Sequence, residues 1–158
     1  MTIEIELDTQ RVHEAFKRLS DMGHSPPRKM WAQLGEALTE TTKARFRTSR
    51  APDGSSWVAN SFVTLQRKGN KRPLIGESRS LSTQIFREVL SDGVAIGSTV
   101  KYAAVHQFGA RKGQFGKTRR GAPIPWGDIP ARPFLGISSE DEQNIERIVS
   151  RFFREAWA

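Results

Sequence analysis

Residues 81–99 read LSTQIFREVLSDGVAIGST, two runs rich in β-branched and aromatic residues separated by Asp92-Gly93. That dipeptide between such runs signals a hairpin with a two-residue turn. Counting outward from the turn pairs Val89 with Ile96 and Ile85 with Val100, so these four side chains share one face, expected to be the core side. The strands run over Leu81–Leu90 and Val94–Thr99. What flanks them is largely helical in period. The expected class is α+β: a small antiparallel sheet (hairpin 81–99 plus edge strands) packed against two or three amphipathic helices, with a long basic loop.

Upstream, Ile3, Ile5 and Leu7 alternate with Thr2, Glu4 and Glu6, the period of a half-buried strand. Asp8 offers an N-cap, and Val12, Ala15, Phe16, Leu19 and Met22 predict an amphipathic helix over Thr9–Met22. Ser25-Pro26 starts a second helix carrying Met30, Trp31, Leu34, Leu38 and Phe46, fraying near Ser49. APDGSSW, residues 51–57, is turn chemistry: Pro52 presets one dihedral, Gly54 allows a positive one, and Trp57 anchors the loop. A short helix over Ser61–Arg67 and a basic turn over Lys68–Pro73 lead into the hairpin.

Downstream, YAAVHQFG (Tyr102–Gly109) is joined to IPARPFLG (Ile129–Gly136) by a basic, glycine-rich loop. Ala103, Ala104, Val105 and Phe108 are expected to bury one face of a short helix that Gly109 ends as a left-handed cap. Arg111, Lys112, Lys117, Arg119 and Arg120 are spaced by Gly113, Gly116 and Gly121. Residues 109–128 are therefore expected to form a flexible basic arm within a single domain spanning 1–158. Pro130–Leu135 suits an edge strand or an extended arm. Ser139 with Glu142 makes a capping box for a last helix whose apolar stripe is Ile145, Ile148, Val149, Phe152 and Ala156. Trp157 either closes the core or meets another subunit.

The chain of 158 residues has no cysteine, which excludes disulfides, thiolate nucleophiles and cysteine-based zinc sites. No run reaches the length of a membrane span, and MTIEIELD lacks the basic, apolar pattern of a signal peptide, so a cytoplasm-like compartment is expected. The net charge of +8 is uneven: Lys43–Arg79 and Lys101–Arg120 are basic, whereas 140–155 is rich in acids. Such asymmetry suits an assembly partner, acidic protein or nucleic acid.

Little here resembles catalysis. His13, His24 and His106 have no metal-ligand spacing, and His106 has no orienting acid nearby. His106 and Gln107 are better read as hydrogen-bonding groups where helix meets loop. Asp53-Gly54 lacks the ligands of a calcium loop, and GQFGKTRRG fails the spacing of a phosphate-binding loop. Phe115, an aromatic among glycines and arginines, either stacks on a base or docks into a neighbour's pocket. No catalytic residue, cofactor or metal is expected.

PDGSSW (52–57), TLQRKG (64–69), YAAVHQFG and IPARPFLG, in that order and followed by a capped helix, resemble the phage virion morphogenesis or tail completion proteins of Mu-like and related tailed phages. The resemblance runs from Ala51 to the last helix. It departs at GESRSL, residues 76–81, where the family usually shows a Thr-Gly pair. It implies a non-enzymatic virion protein of the neck and tail, assembled in the host cytoplasm, that helps join a finished tail to a filled head. It further implies a homo-oligomeric ring, sixfold, contacting other neck and tail proteins with DNA passing through the channel. In that picture His106, Gln107 and Phe108 set the base of the arm, while Arg132, Pro133 and Phe134 contact the next subunit. Intramolecular core is the alternative for Phe134. Arg111, Lys112, Lys117, Arg119 and Arg120 would meet DNA or an acidic partner. A DNA-binding module gripping phosphate through the arm is the other functional reading.

Overall fold

A computed structural model describes residues 28–156, together with Glu14 and Lys17. Of the helix expected over Thr9–Met22, Glu14 and Lys17 are described and both are helical; the rest of it, the expected strand over Ile3–Leu7, the Ser25-Pro26 helix start and Trp157 lie outside the described residues. Within residues 28–156, five helical segments and one hairpin follow in the order α1 (Arg28–Thr48), α2 (Phe62–Lys68), α3 (Ser80–Thr83), β1 (Ile85–Val89), β2 (Val94–Ser98), α4 (Ala103–Phe108) and α5 (Ser139–Ala156).

Helix α1 is the element on which the hairpin, α3 and α5 pack. Its stripe buries Met30, Trp31, Leu34, Leu38 and Phe46, as the three-and-four spacing requires. Full burial of such side chains contributes about 1.5–3 kcal/mol each. The hairpin crosses α1 at Gly35, where a Cβ would lie 2.7 Å from Val94 Cγ2. Only a glycine admits the strand that closely. Thr39, also buried, returns its hydroxyl to Gly35 O at 2.7 Å, so the polar atom costs little. The helix stops at Ser49, whose φ of 55° is left-handed.

The hairpin forms, with a different register from the one expected. Its pairs are Ile85–Ser98, Arg87–Ile96 and Val89–Val94, not Val89–Ile96 and Ile85–Val100. The turn closes one residue earlier, around Ser91-Asp92, where Leu90 N donates to Gly93 O at 2.9 Å. Gly93 does not use the left-handed region that had centred the turn on it. Moving the turn by one residue shifts each pairing by two, so side chains keep their faces. Ile85, Ile96 and Val100 are buried and Val89 packs against the same cluster. The earlier turn also brings Val94 onto Gly35. On the opposite face Phe86 covers Gly97, whose Cβ would stand 2.9 Å from the ring.

Two boundaries differ as well. Ser80–Thr83 is a single helical turn entered through Arg79 at φ 52°, so β1 starts at Ile85 rather than Leu81. Leu81 is buried from that turn. Among the described residues the sheet has two strands, and Pro130–Leu135 is extended chain without a strand partner.

The expected short helix appears as α2, capped by the Ser61 hydroxyl and ended by left-handed Gly69. Trp57 anchors its loop from the core, donating Nε1 to Pro133 O at 2.7 Å and meeting Phe46 edge-on. The last helix is capped one residue earlier than expected. Ser138 Oγ accepts from Asp141 N at 3.2 Å, and Asp141 Oδ2 accepts from Ser138 N at 2.8 Å. Ser138 and Asp141 are thus the capping box, and Ser139 and Glu142 are exposed. Ile145 and Val149 then face α1, with Ile148 and Phe152 at the margin.

Candidate functional site

YAAVHQFG and IPARPFLG meet through one side chain. Gln107, buried on α4, donates Nε2 to Leu135 O at 2.9 Å and accepts from Phe134 N and Leu135 N at 3.0 and 3.1 Å. An amide is the side-chain group that offers both a donor and an acceptor to an extended backbone. This is the hydrogen-bonding role expected of it. Beside it, Arg132 N donates to His106 O at 2.7 Å, while Nε and Nη2 donate to Val58 O and Ala59 O at 2.7 and 3.0 Å. Arg132 therefore ties α4, its own segment and the approach to α2 into one knot.

Those bonds change the roles expected of IPARPFLG. Phe134 has 0% of its surface exposed and packs against Phe46 at 5.3 Å. The alternative reading, intramolecular core, is the one its packing matches. Arg132 is buried and occupied by carbonyls of its own chain, and Pro133 holds Trp57 through its carbonyl. The side chains of Phe134 and Arg132 are thus engaged within their own chain, while the Pro133 ring is half-buried. Phe108, expected to be buried, is 64% exposed, because Ala103 and Gln107 take the inward positions of α4.

His106 is partly buried against Tyr102, whose ring it meets edge-on at 5.6 Å. Its Nδ1 has no hydrogen-bond partner among the described residues. Burial, followed by the nearby charges of Arg132 and Lys68, holds its pKa below the ordinary 6.5. A neutral imidazole without an acid to orient it makes a poor general base. Among the described residues no cluster of His, Asp and Glu could hold a metal ion.

The arm leaves this knot through Gly109, at φ 76° and ψ 178°. That is not the left-handed cap expected but an extended conformation reserved for glycine. A Cβ there would meet Ile129 O at 2.7 Å and Ala131 N at 2.9 Å. Beyond it the chain doubles back on itself in a hydrogen-bonded ladder. Ala110 and Ile129 exchange two bonds, Gly113 N donates to Pro125 O, Phe115 N to Ile124 O, and Thr118 N to Ala122 O. Lys112 N donates to Asp128 Oδ1 at 2.7 Å. Glycine-rich composition gave no sign of this ladder.

Arg111, Lys112, Lys117, Arg119 and Arg120 are all exposed along the arm. With them stand three apolar side chains: Phe115, Ile124 and Trp126, the last 75% exposed. Trp126 escaped sequence reading, although an aromatic between Pro125 and Gly127 had little to pack against nearby. Equally unforeseen was the pairing of Arg45 with Asp141, which is buried and joins α1 to α5.

The sequence profile of the phage virion morphogenesis family matches residues 7–154. The chain is 31% identical to tail completion protein S of Escherichia phage P2 over 147 residues, covering 85% of this chain and 94% of that protein. It is 31% identical to Mu-like prophage FluMu G protein 2 of Haemophilus influenzae, covering 96% of each. With the putative capsid assembly protein G of Escherichia phage Mu it shares 30%, over 92% of this chain and 90% of that one. No solved structure matches it significantly. Every structural element described above falls wholly or almost wholly inside the matched span, and the chain belongs to the phage virion morphogenesis family.

Proposed function

We propose that this chain is a structural, non-enzymatic component of a tailed-phage virion that completes the tail and helps join it to the head. The observation that carries this reading is the family match over residues 7–154, which includes both the knot around Gln107 and the arm. The relative named for tail completion is covered over 94% of its length, so little of that protein lacks a counterpart here. Its partners are other tail and head proteins, and its place is the virion neck.

The geometry supports subunit assembly in a ring. Phe108, Phe115 and Trp126 are large exposed apolar side chains that a neighbouring subunit would cover. The basic arm and the acidic start of α5 are two different surfaces, as head-to-tail contacts require. DNA crossing the centre of such a ring would meet the arm cations if they face inward. A phage deleted for this gene should accumulate filled heads and unattached tails by electron microscopy, with complementation restoring joined particles. Normal yields of joined virions from the deletion would overturn the proposal.

A DNA-gripping module is the second reading, favoured by the five exposed cations of the arm. It requires affinity for duplex DNA that falls steeply with salt. Salt-independent or absent binding removes it.

A further inference from the structure

We propose that the arm of one copy of this chain docks into the groove between the end of α1 and the start of α5 on the next copy. The inference rests on the ring reading above and names the two surfaces that would meet. The groove has a volume of about 620 Å³ and is walled by Ala44, Pro52 and Ile137, with Asp53, Glu140 and Glu142 among its lining residues. Of its two arginines, Arg45 is neutralised by Asp141, whereas Arg50 donates to the uncharged Gly54 O at 2.8 Å and keeps its charge. Asp53, Glu140 and Glu142 outnumber that one remaining cation, so the groove lining is acidic on balance.

The arm is the complementary object. Five cations stand against the single acid Asp128, and that carboxylate accepts from Lys112 N. Phe115 N donates to Ile124 O at 2.8 Å, which sets those residues beside each other in the ladder, with Trp126 two residues on. Phosphate alone explains the cations but leaves three exposed apolar side chains without a purpose. A groove with apolar walls and acids takes both.

The base of the arm and the groove wall are also one piece of chain. Gln107 holds Phe134 and Leu135, while Arg45 donates to Phe134 O and Gly136 O at 2.9 Å each. Gly136 in turn lies against Pro52, where a Cβ would come within 2.7 Å of Cγ. Each subunit thus carries its arm and its groove on a shared frame. Repeating one arm-to-groove step generates a ring when the rotation closes.

The test reverses charge on one surface at a time. Arg119→Glu with Arg120→Glu, and separately Glu140→Lys with Glu142→Lys, should each turn the assembled protein into monomers by native mass spectrometry. An equimolar mixture should reassemble into rings of alternating composition, because each altered surface then meets its altered complement. Since the chain has no cysteine, Trp126→Cys with Ile137→Cys supplies an independent readout, a disulfide-linked ladder of subunits on non-reducing gels. Assembly that survives both reversals, or a mixture of folded variants that stays monomeric, would overturn the docking while leaving the ring reading intact. A wild-type chain that is monomeric at every concentration overturns both. If reversal on the arm removes only salt-dependent DNA binding, the arm belongs to DNA and the docking is wrong.

Discussion

Arg45 and Asp141 are joined by a buried ion pair across 96 residues of sequence, and the two groups complete each other's hydrogen bonding. The guanidinium also donates to Phe134 O and Gly136 O, and the carboxylate accepts from Ser138 and, at 2.5 Å, from Thr41 Oγ1. One carboxylate therefore caps α5, ties it to α1 and holds the segment that enters it. Arg45 is pulled towards a lower pKa by burial and back up by Asp141.

Removing the charge from this pair should be costly. Asp141→Asn leaves a cation buried without compensation, and breaking such pairs typically destabilises by about 3–5 kcal/mol. Urea unfolding should show that loss, and Arg45→Met combined with it should lose less than the two single changes added together. Strict additivity would mean that the two side chains stabilise the fold independently.

How much of this was legible follows from how local each interaction is. The α1 stripe, the short helix beginning near Ser61 and the hairpin faces each depend on residues a few positions apart, and period or turn chemistry exposes them. The α5 cap was misplaced by one because Ser138 and Ser139 each have an acid three residues on, Asp141 and Glu142. Only the buried Arg45 distinguishes them, and it comes from another helix. Phe134 was assigned outward for a similar reason: its burial depends on Gln107 and Phe46, distant in sequence. The arm was read as structureless because its ladder is made by backbone groups, which leave no trace in side-chain pattern. The outward cations were visible, since charge on a polar loop has few other places to go.

Gly109 offers a test of the arm's base. Gly109→Ala would force a Cβ against Ile129 O and Ala131 N in a conformation that costs non-glycine residues about 1–3 kcal/mol. The Ala110–Ile129 bonds should open, raising hydrogen exchange at those two amides while the hairpin amides stay protected. Unchanged exchange at Ala110 would show that the close approach is not what holds the arm.

His106 predicts a pH dependence with a definite sign. Burial, then Arg132 and Lys68, depress its pKa in the fold, so the folded state prefers the neutral ring. Above the unfolded value near 6.5 this contributes nothing unfavourable. As pH falls through that value the unfolded chain gains a proton first, and stability is lost until the folded pKa is reached. Tm should therefore fall from about pH 7.5 to about pH 5.5, and less steeply in His106→Phe. Parallel curves for the two proteins would remove His106 as a cause.

Phe134 and Phe108 should exchange the roles that sequence suggested for them. Phe134 is enclosed between Phe46 and the Gln107 clamp, so Phe134→Ala opens a cavity and should cost about 3–5 kcal/mol. Loss of assembly in that variant would say nothing about an interface, because the frame carrying the arm loosens with it. Phe108 is exposed at the end of α4, and Phe108→Ala should leave stability within about 0.5 kcal/mol. If Phe108 belongs to a contact between subunits, that variant alone should lower the oligomer fraction in light scattering without lowering Tm. An unchanged oligomer together with an unchanged Tm would confine the contact to the arm and the groove.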